Sequence, residues 1–170
     1  MNAAQIHLAL NHAPLFLSVI GGGILILGMI QKNETIKTLS LFLLLAAALF
    51  TIPVFLTGEG TEELVEHLPG VTENMIEKHE DMAKIALIVI AISGVAALAG
   101  IFLRKKASMA KAVFALCLVL SLASFGTMAQ TAHLGGLIRH SELQAGNAAT
   151  DANGNEDKNK DEGKDKEDDD

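Results

Sequence analysis

The amino-acid sequence predicts an all-α protein, an integral membrane four-helix bundle, from its apolar runs and the distribution of its charges. Four apolar runs lie at about residues 14–30, 39–56, 85–103 and 112–128, and none contains a charged residue. A helix needs about 20 such residues to cross a hydrocarbon core of about 30 Å. The alternating segments of about ten residues that are typical of a membrane β-barrel are missing. Helices are therefore expected, because they satisfy their own backbone hydrogen bonds inside lipid.

Capping residues and prolines predict the helix boundaries. The long helices are expected at about residues 3–31, 37–57, 73–103 and 108–134. Pro14 lacks a backbone N–H, so the first helix is expected to open near Leu10. Thr61 is expected to cap a short helix over Glu62–Leu68, and Thr72 to cap the third long helix.

The loop charges predict the orientation. Two loops, between the first and second spans and between the third and fourth, carry most of the basic residues of segment 1–143: Lys32, Lys37, Arg104, Lys105, Lys106 and Lys111. The loop between the second and third spans carries eight acidic residues. Because basic loops stay in the cytoplasm, we expect a multi-pass protein of the bacterial cytoplasmic membrane with both termini outside.

The C-terminal segment differs in composition from the rest of the chain. Residues 144–170 contain ten acidic residues and four lysines, a net charge of −6, and no apolar run. Such a segment cannot bury enough surface to offset its ordering entropy. We therefore expect a transmembrane domain over residues 1–143, followed by a disordered acidic tail.

The histidines are the most informative residues, because the predicted topology places all six at or beyond the outer membrane edge: His7, His12, His67, His79, His133 and His140. Imidazole is a favoured ligand of haem iron, zinc and copper. Two histidines that face each other across a bundle would bind a b-type haem, which needs no Cys-x-x-Cys-His motif. Arg139 is expected to pair with a haem propionate, and Asn11 to orient the ring of His12.

Other interpretations of these residues stay open. Interfacial histidines are commonly hydrated side chains, and they also serve in proton handling and partner contacts. Small residues such as Gly21, Gly22 and Gly23 commonly permit close helix packing. Hydrolase motifs such as Gly-x-Ser-x-Gly and His-Glu-x-x-His are missing. The negative charge and the membrane location both disfavour nucleic-acid binding.

Five short motifs connect these residues to a known group. They are His7-Leu8-x-x-Asn11-His12-x-Pro14, Thr51-Ile52-Pro53 leading to Thr57-Gly58, Leu68-Pro69-Gly70-Val71, Ile76-x-x-His79-x-Asp81-x-Ala83 and Gly135-Gly136-x-Ile138-Arg139-His140. Over about residues 5–143 the chain resembles a family of bacterial four-span membrane proteins described only as predicted membrane proteins of unknown function. Members occur in respiratory or cytochrome-related settings.

The resemblance selects four histidines as candidate ligands of haem iron or another metal: His7, His12, His79 and His140. His67 and His133 match none of the motifs. Ser141 stands where a proline usually follows the last histidine of the family. The four matching histidines suit one haem with two axial ligands, or a pair of haems.

The expected function is that of a membrane protein that binds haem b and transfers electrons at the outer face of the cytoplasmic membrane. Its expected partners are the lipid bilayer, a quinone or a periplasmic cytochrome, and His12 with His79 is the first axial pair to test. The alternative is a non-catalytic accessory or anchoring subunit of a respiratory membrane complex. A transporter is disfavoured, because no span has an ionisable residue near its middle.

Overall fold

The computed structural model describes residues 2–140, which confirm the all-α fold and the four spans. The helices in that part of the chain are α1 (Ala3–Leu10), α2 (Ala13–Ile30), α3 (Glu34–Leu56), α4 (Glu59–Val65), α5 (Glu73–Leu103) and α6 (Ala107–Arg139). Four segments are long and apolar enough to cross a membrane: Ala3–Ile30, Glu34–Leu56, Glu73–Leu103 and Ser108–Arg139. The acidic tail predicted over residues 144–170 lies outside the described residues.

The first span is divided into α1 and α2 by a turn at Asn11 and His12, as Pro14 predicts. The side chain of Asn2 caps α1 by accepting a hydrogen bond from the Gln5 backbone N–H at 2.9 Å. Pro14 lies in the first turn of α2. A backbone N–H at this position would have no acceptor within the helix, so its absence in proline costs no hydrogen bond.

The other helix ends follow their caps and differ in part from the sequence prediction. Helix α3 starts at Glu34, earlier than expected, because the Asn33 side chain accepts from the Thr35 and Ile36 backbone N–H groups. Helix α4 is Glu59–Val65 with Gly58 at its N-cap, so the predicted cap at Thr61 is wrong. Thr72 does occupy the N-cap of α5. Helix α6 continues to Arg139, beyond the expected end at residue 134.

The four long helices form a closed ring in which α2 and α5 each pack against both α3 and α6. Three-residue turns at 31–33 and 104–106 join α2 to α3 and α5 to α6, so each pair is an antiparallel helical hairpin. At the other end of the bundle, α1 packs against α3 and α4 packs against α1. The two short helices therefore pack together beside α3 at one end of the ring.

The core and the surface are those of a protein in lipid. The buried apolar cluster consists of Leu25, Leu41, Leu44, Ala96, Ala97, Phe114 and Cys117. Large apolar side chains also face outward, such as Val95 at 69% exposure and Phe102 at 74%. Several hydroxyl groups point inward and bond to their own helix, as Ser18 does to the Pro14 carbonyl at 2.8 Å, whereas the buried Ser124 Oγ has no hydrogen-bond partner within residues 2–140. This distribution suits a hydrocarbon solvent, because polar groups there must find partners within the protein.

Small residues let α3 and α5 approach each other closely. A Cβ atom added at Gly94 would overlap the Cβ of Ala48, which cannot move without a shift of the α3 backbone. By contrast, a Cβ added at Gly23 would meet no heavy atom within 4 Å. Close van der Waals packing is a main source of helix association in lipid, so Gly94 is a structural requirement and Gly23 is not.

We predict that Gly94→Ala lowers the stability of the bundle by about 1–3 kcal/mol, because it overpacks the α3–α5 contact. Gly23→Ala is the matched control and should leave stability nearly unchanged. Thermal unfolding in detergent, followed with a thiol-reactive dye, measures both variants, since the buried Cys117 becomes reactive when the bundle opens. Equal unfolding midpoints for the two variants would contradict the prediction.

Candidate functional site at the histidine end

All six histidines lie at the end of the bundle opposite the turns of residues 31–33 and 104–106, which we call the histidine end. Two belong to the first span, two precede or begin the third, and two lie near the end of α6: His7, His12, His67, His79, His133 and His140. The sequence-based placement at one end of the bundle therefore agrees with the topology.

His7 is held by the last turn of α3. Its Nδ1 donates to the backbone carbonyl of Val54 at 2.9 Å, and the Thr57 hydroxyl donates to the same oxygen at 3.2 Å. The last four carbonyls of a helix lack a partner in their own helix. His7 therefore satisfies an acceptor that the end of α3 leaves open, and its half-buried ring is fixed in place.

His79 is held in the same way by α6. Its Nδ1 donates to the backbone carbonyl of Thr131 at 3.0 Å. One turn further along α6, Gly135 makes room for the ring: a Cβ there would lie 3.1 Å from Cε1 and 3.3 Å from Nδ1 of His79. The ring thus packs directly on the backbone of α6, and any side chain at Gly135 would crowd it.

These two hydrogen bonds determine which ring nitrogen is available for chemistry. A carbonyl oxygen only accepts, so Nδ1 of both His7 and His79 must carry a proton. In the neutral ring the lone pair is then on Nε2 of each histidine. Two half-buried imidazoles from different helices therefore lie at the same end of the bundle, with their Nε2 lone pairs unused by these bonds.

The other histidines are exposed. His12 lies at the N-cap of α2 and stacks on Phe16, with ring centroids 6.4 Å apart. His67 lies beside Glu66, 3.4 Å from its carboxylate. His133 is on the surface of α6, and the backbone N–H of His140 ends that helix by donating to the Gly136 carbonyl.

The remaining predicted site residues are divided between the interior and the surface. Arg139 is exposed in the last turn of α6. The side-chain oxygen of Asn11 is buried and has no hydrogen-bond partner within residues 2–140. In the same part of the chain, no three or more His, Cys, Asp or Glu side chains form a group that could hold a metal ion. Of the four predicted ligands, His7 and His79 are thus half-buried and anchored by backbone carbonyls, whereas His12 and His140 are exposed.

A carboxyl pair lies beside this histidine pair. The side chain of Glu62, on α4, is hydrogen-bonded to that of Glu80, the neighbour of His79 on α5. Glu80 also accepts from Lys84 Nζ at 3.2 Å. Burial, together with the charge and the hydrogen bond of Glu80, raises the pKa of Glu62. The two carboxylates repel each other when both are ionised, so protonation of Glu62 favours the approach of α4 to the start of α5.

Sequence reasoning missed the backbone carbonyls of Val54 and Thr131 and the Glu62–Glu80 pair. The carbonyls carry no signal in the sequence, since every residue has one. Gly135 belongs to one of the five motifs, and the structure gives it a specific role, which is to let the ring of His79 reach the helix backbone.

The fold and this site define a four-span helical membrane protein with a pair of anchored histidines at one end. Residues 3–142 match the model of the family described as "Predicted membrane protein (DUF2231)", and the chain belongs to that family. Comparison with curated proteins and with solved structures found no match. The match confirms the family resemblance inferred from the five motifs.

We predict that Gly135→Ala displaces the His79 ring and weakens its bond to Thr131, because the added methyl would lie 3.1 Å from Cε1. The neighbouring variant Gly136→Ala is the control, since a Cβ there meets nothing within 4 Å. NMR of the protein labelled with ¹⁵N-histidine reports the Nδ1–H form of each ring. An unchanged His79 signal in Gly135→Ala would refute this role for the glycine.

We predict that the contact between α4 and α5 weakens as pH rises. Because the folded-state pKa of Glu62 is raised above the ordinary glutamate value of 4.5, the contact is strongest below that value and is weakened as pH rises through the folded-state pKa. Glu62→Gln should strengthen the contact at neutral pH, by less than about 1 kcal/mol at this partly exposed site.

Hydrogen exchange of residues 59–65, corrected for the intrinsic pH dependence of the exchange rate, measures this effect. Glu63→Gln removes an exposed charge from the same helix and serves as the control. Equal protection in the two variants at neutral pH would show that the carboxyl pair does not govern the contact.

Proposed function

We propose that the protein binds haem b through His7 and His79 and carries electrons at the outer face of the bacterial cytoplasmic membrane. The observation that carries this proposal is the pair of half-buried rings, each fixed at Nδ1 by a backbone carbonyl. Histidines that ligate metals commonly donate their other ring N–H to a carbonyl or carboxylate, which fixes the tautomer and the ring orientation.

The chemistry of the pair suits iron. Neutral Nε2 atoms from two different helices are the usual axial ligands of a b-type haem within a helical bundle. Such a haem would accept and release one electron at a time. Around it, α3 and α6 would hold the ligands through the carbonyls of Val54 and Thr131, and Gly135 would keep the His79 ring against α6.

In this proposal, the charges of the loops determine on which side of the membrane the site lies. The two turns opposite the histidine end carry most of the basic residues of segment 1–143, and basic loops stay in the cytoplasm. The histidine end and both termini would then face the periplasm. A quinone in the outer leaflet or a periplasmic cytochrome would be able to exchange electrons with the site.

The other predicted residues have secondary parts in this proposal. Exposed at the end of α6, Arg139 is the candidate partner of a haem propionate. Asn11 offers a buried oxygen without a partner among the described residues. The exposed His12 and His140 would serve a second haem if the protein binds a pair, whereas the first haem would depend on His7 and His79.

Absorption spectroscopy tests the proposal. The wild-type protein, expressed with haem supply and purified, should show a Soret band and low-spin bands on reduction. His7→Ala and His79→Ala should each abolish the low-spin spectrum, because each would remove one axial ligand. A wild-type protein that is folded but colourless would refute haem binding.

Matched variants separate ligation from general effects on the histidine end. His67→Ala and His133→Ala remove exposed imidazoles at the same end and should keep the full spectrum. Thermal unfolding followed through Cys117 shows whether each variant is folded. Loss of colour in all four variants would contradict the assignment of His7 and His79 as the ligands.

A second candidate function is that of an accessory or anchoring subunit of a respiratory membrane complex. It is favoured by the exposed carboxylates of Glu59, Glu63 and Glu66 on and beside α4, which would meet a basic partner. In that case an intact, colourless protein should co-purify with respiratory subunits, and the association should weaken as salt screens the charges. A coloured protein that purifies alone would favour the first candidate.

A further inference from the structure

A groove of about 340 Å³ lies at the end of the bundle opposite the histidines, between the start of α3 and the end of α5. It is lined by Glu34, Thr35, Thr38, Leu39 and Arg104. Because both apolar helices end here, the groove lies at the level of the lipid headgroups rather than in the hydrocarbon core. Nothing in the proposed electron-transfer role uses it.

Arg104 is the charged group of this groove, and two hydrogen bonds hold it in place. Its Nε donates to the Ile101 carbonyl at 3.1 Å, and its Nη1 donates to the Thr38 hydroxyl at 2.5 Å. A guanidinium has five N–H groups, and these are its two bonds within residues 2–140. Three donors therefore remain for a ligand, on a side chain whose position is already fixed.

The charge around Arg104 favours an anion. Glu34 is the acidic residue among the lining residues, but its carboxylate lies 2.7 Å from Lys37 Nζ and is neutralised there. Lys37 is in turn held over the ring of Phe114, with Nζ 5.2 Å from the centroid. The turn after Arg104 adds the exposed Lys105 and Lys106. The groove is thus positive overall.

The wall toward the membrane is apolar. Leu39 lines the groove and is 50% exposed on the outer surface of α3, and Phe102 extends the outward apolar surface of α5. The groove is therefore continuous with the surface that contacts lipid. An occupant that satisfies both parts needs an anionic head and an apolar chain.

We infer that this groove binds the headgroup of an anionic phospholipid, with the phosphate on Arg104 and Thr35 and an acyl chain along Leu39. Basic pockets between helices at the membrane interface commonly hold anionic lipid headgroups. A free phosphate shares the chemistry of the head but would make no use of the apolar wall.

Native mass spectrometry of the full chain, purified in a mild detergent, tests this inference. Phosphatidylglycerol and phosphatidylcholine with identical acyl chains are added separately, and glycerol phosphate serves as the soluble headgroup. We expect the wild-type protein to retain phosphatidylglycerol about fivefold or more over phosphatidylcholine, as one well-placed basic residue near anionic lipid would give. Glycerol phosphate should be retained far less.

Two variants and one control connect the retention to the groove. Arg104→Gln removes the charge, and Thr35→Leu fills the groove at an exposed position while Arg104 stays intact. Each should remove the preference for phosphatidylglycerol. Lys111→Gln makes the same change of charge at an exposed position outside the groove and should keep the preference.

Several results would overturn the inference. Equal retention of the two lipids by the wild-type protein would exclude recognition of an anionic head. If Lys111→Gln and Arg104→Gln reduced the preference for phosphatidylglycerol equally, the general positive charge of this face, and not the groove, would explain the lipid binding. Retention of glycerol phosphate as strong as that of phosphatidylglycerol would make the groove a site for soluble anions. Thermal unfolding, followed through the reactivity of Cys117, identifies misfolded variants. If Arg104→Gln is misfolded, the lipid preference of Thr35→Leu decides the outcome.

Discussion

Close contact between helices is the constraint on which the rest of this structure depends. In lipid, apolar side chains gain little by leaving their solvent, so helices associate where small residues let the backbones approach. Gly94 against Ala48 fixes the spacing of α3 and α5, and Gly28 fixes that of α2 and α3, where a Cβ would lie 2.8 Å from the Lys37 backbone nitrogen. The spacing of these backbones sets which polar groups at the helix ends can reach a partner.

The histidine pair is a consequence of that spacing. A carbonyl at the end of α3 and a carbonyl within α6 accept hydrogen bonds from two rings, each of which belongs to a helix packed beside that carbonyl. Each bond places the proton on Nδ1. The position of a backbone carbonyl therefore determines the tautomer of each ring. At the opposite end, the Thr38 hydroxyl and the Ile101 carbonyl fix the Arg104 guanidinium. At both ends of the bundle, basic side chains are therefore held in place by hydrogen bonds to groups that belong to the helices.

The fold was predictable from the sequence because it depends on long, repeated signals: four apolar runs, the turn residues between them and the break before Pro14. The site was predictable only in part. Spacing indicated that the histidines share one end, but it could not distinguish His12 from His7, since that choice depends on how α1 lies against α3. The carbonyls of Val54 and Thr131 are invisible in a sequence, and the cap of α4 moved to Gly58 because the chain turns directly after α3. Contacts between distant segments decided which histidine is anchored, whereas the cap of α4 depends on the local turn after α3.

The connections between the helices divide the bundle into two halves. Two short turns make α2–α3 and α5–α6 into separate hairpins, and the segment 57–72 joins them. His7 and its carbonyl both belong to the first half of the chain, whereas His79 and its carbonyl both belong to the second. Each half thus contains both partners of its own histidine–carbonyl hydrogen bond. Because His7 and His79 belong to different halves, a ligand that needs both rings would bind the complete bundle and neither half alone.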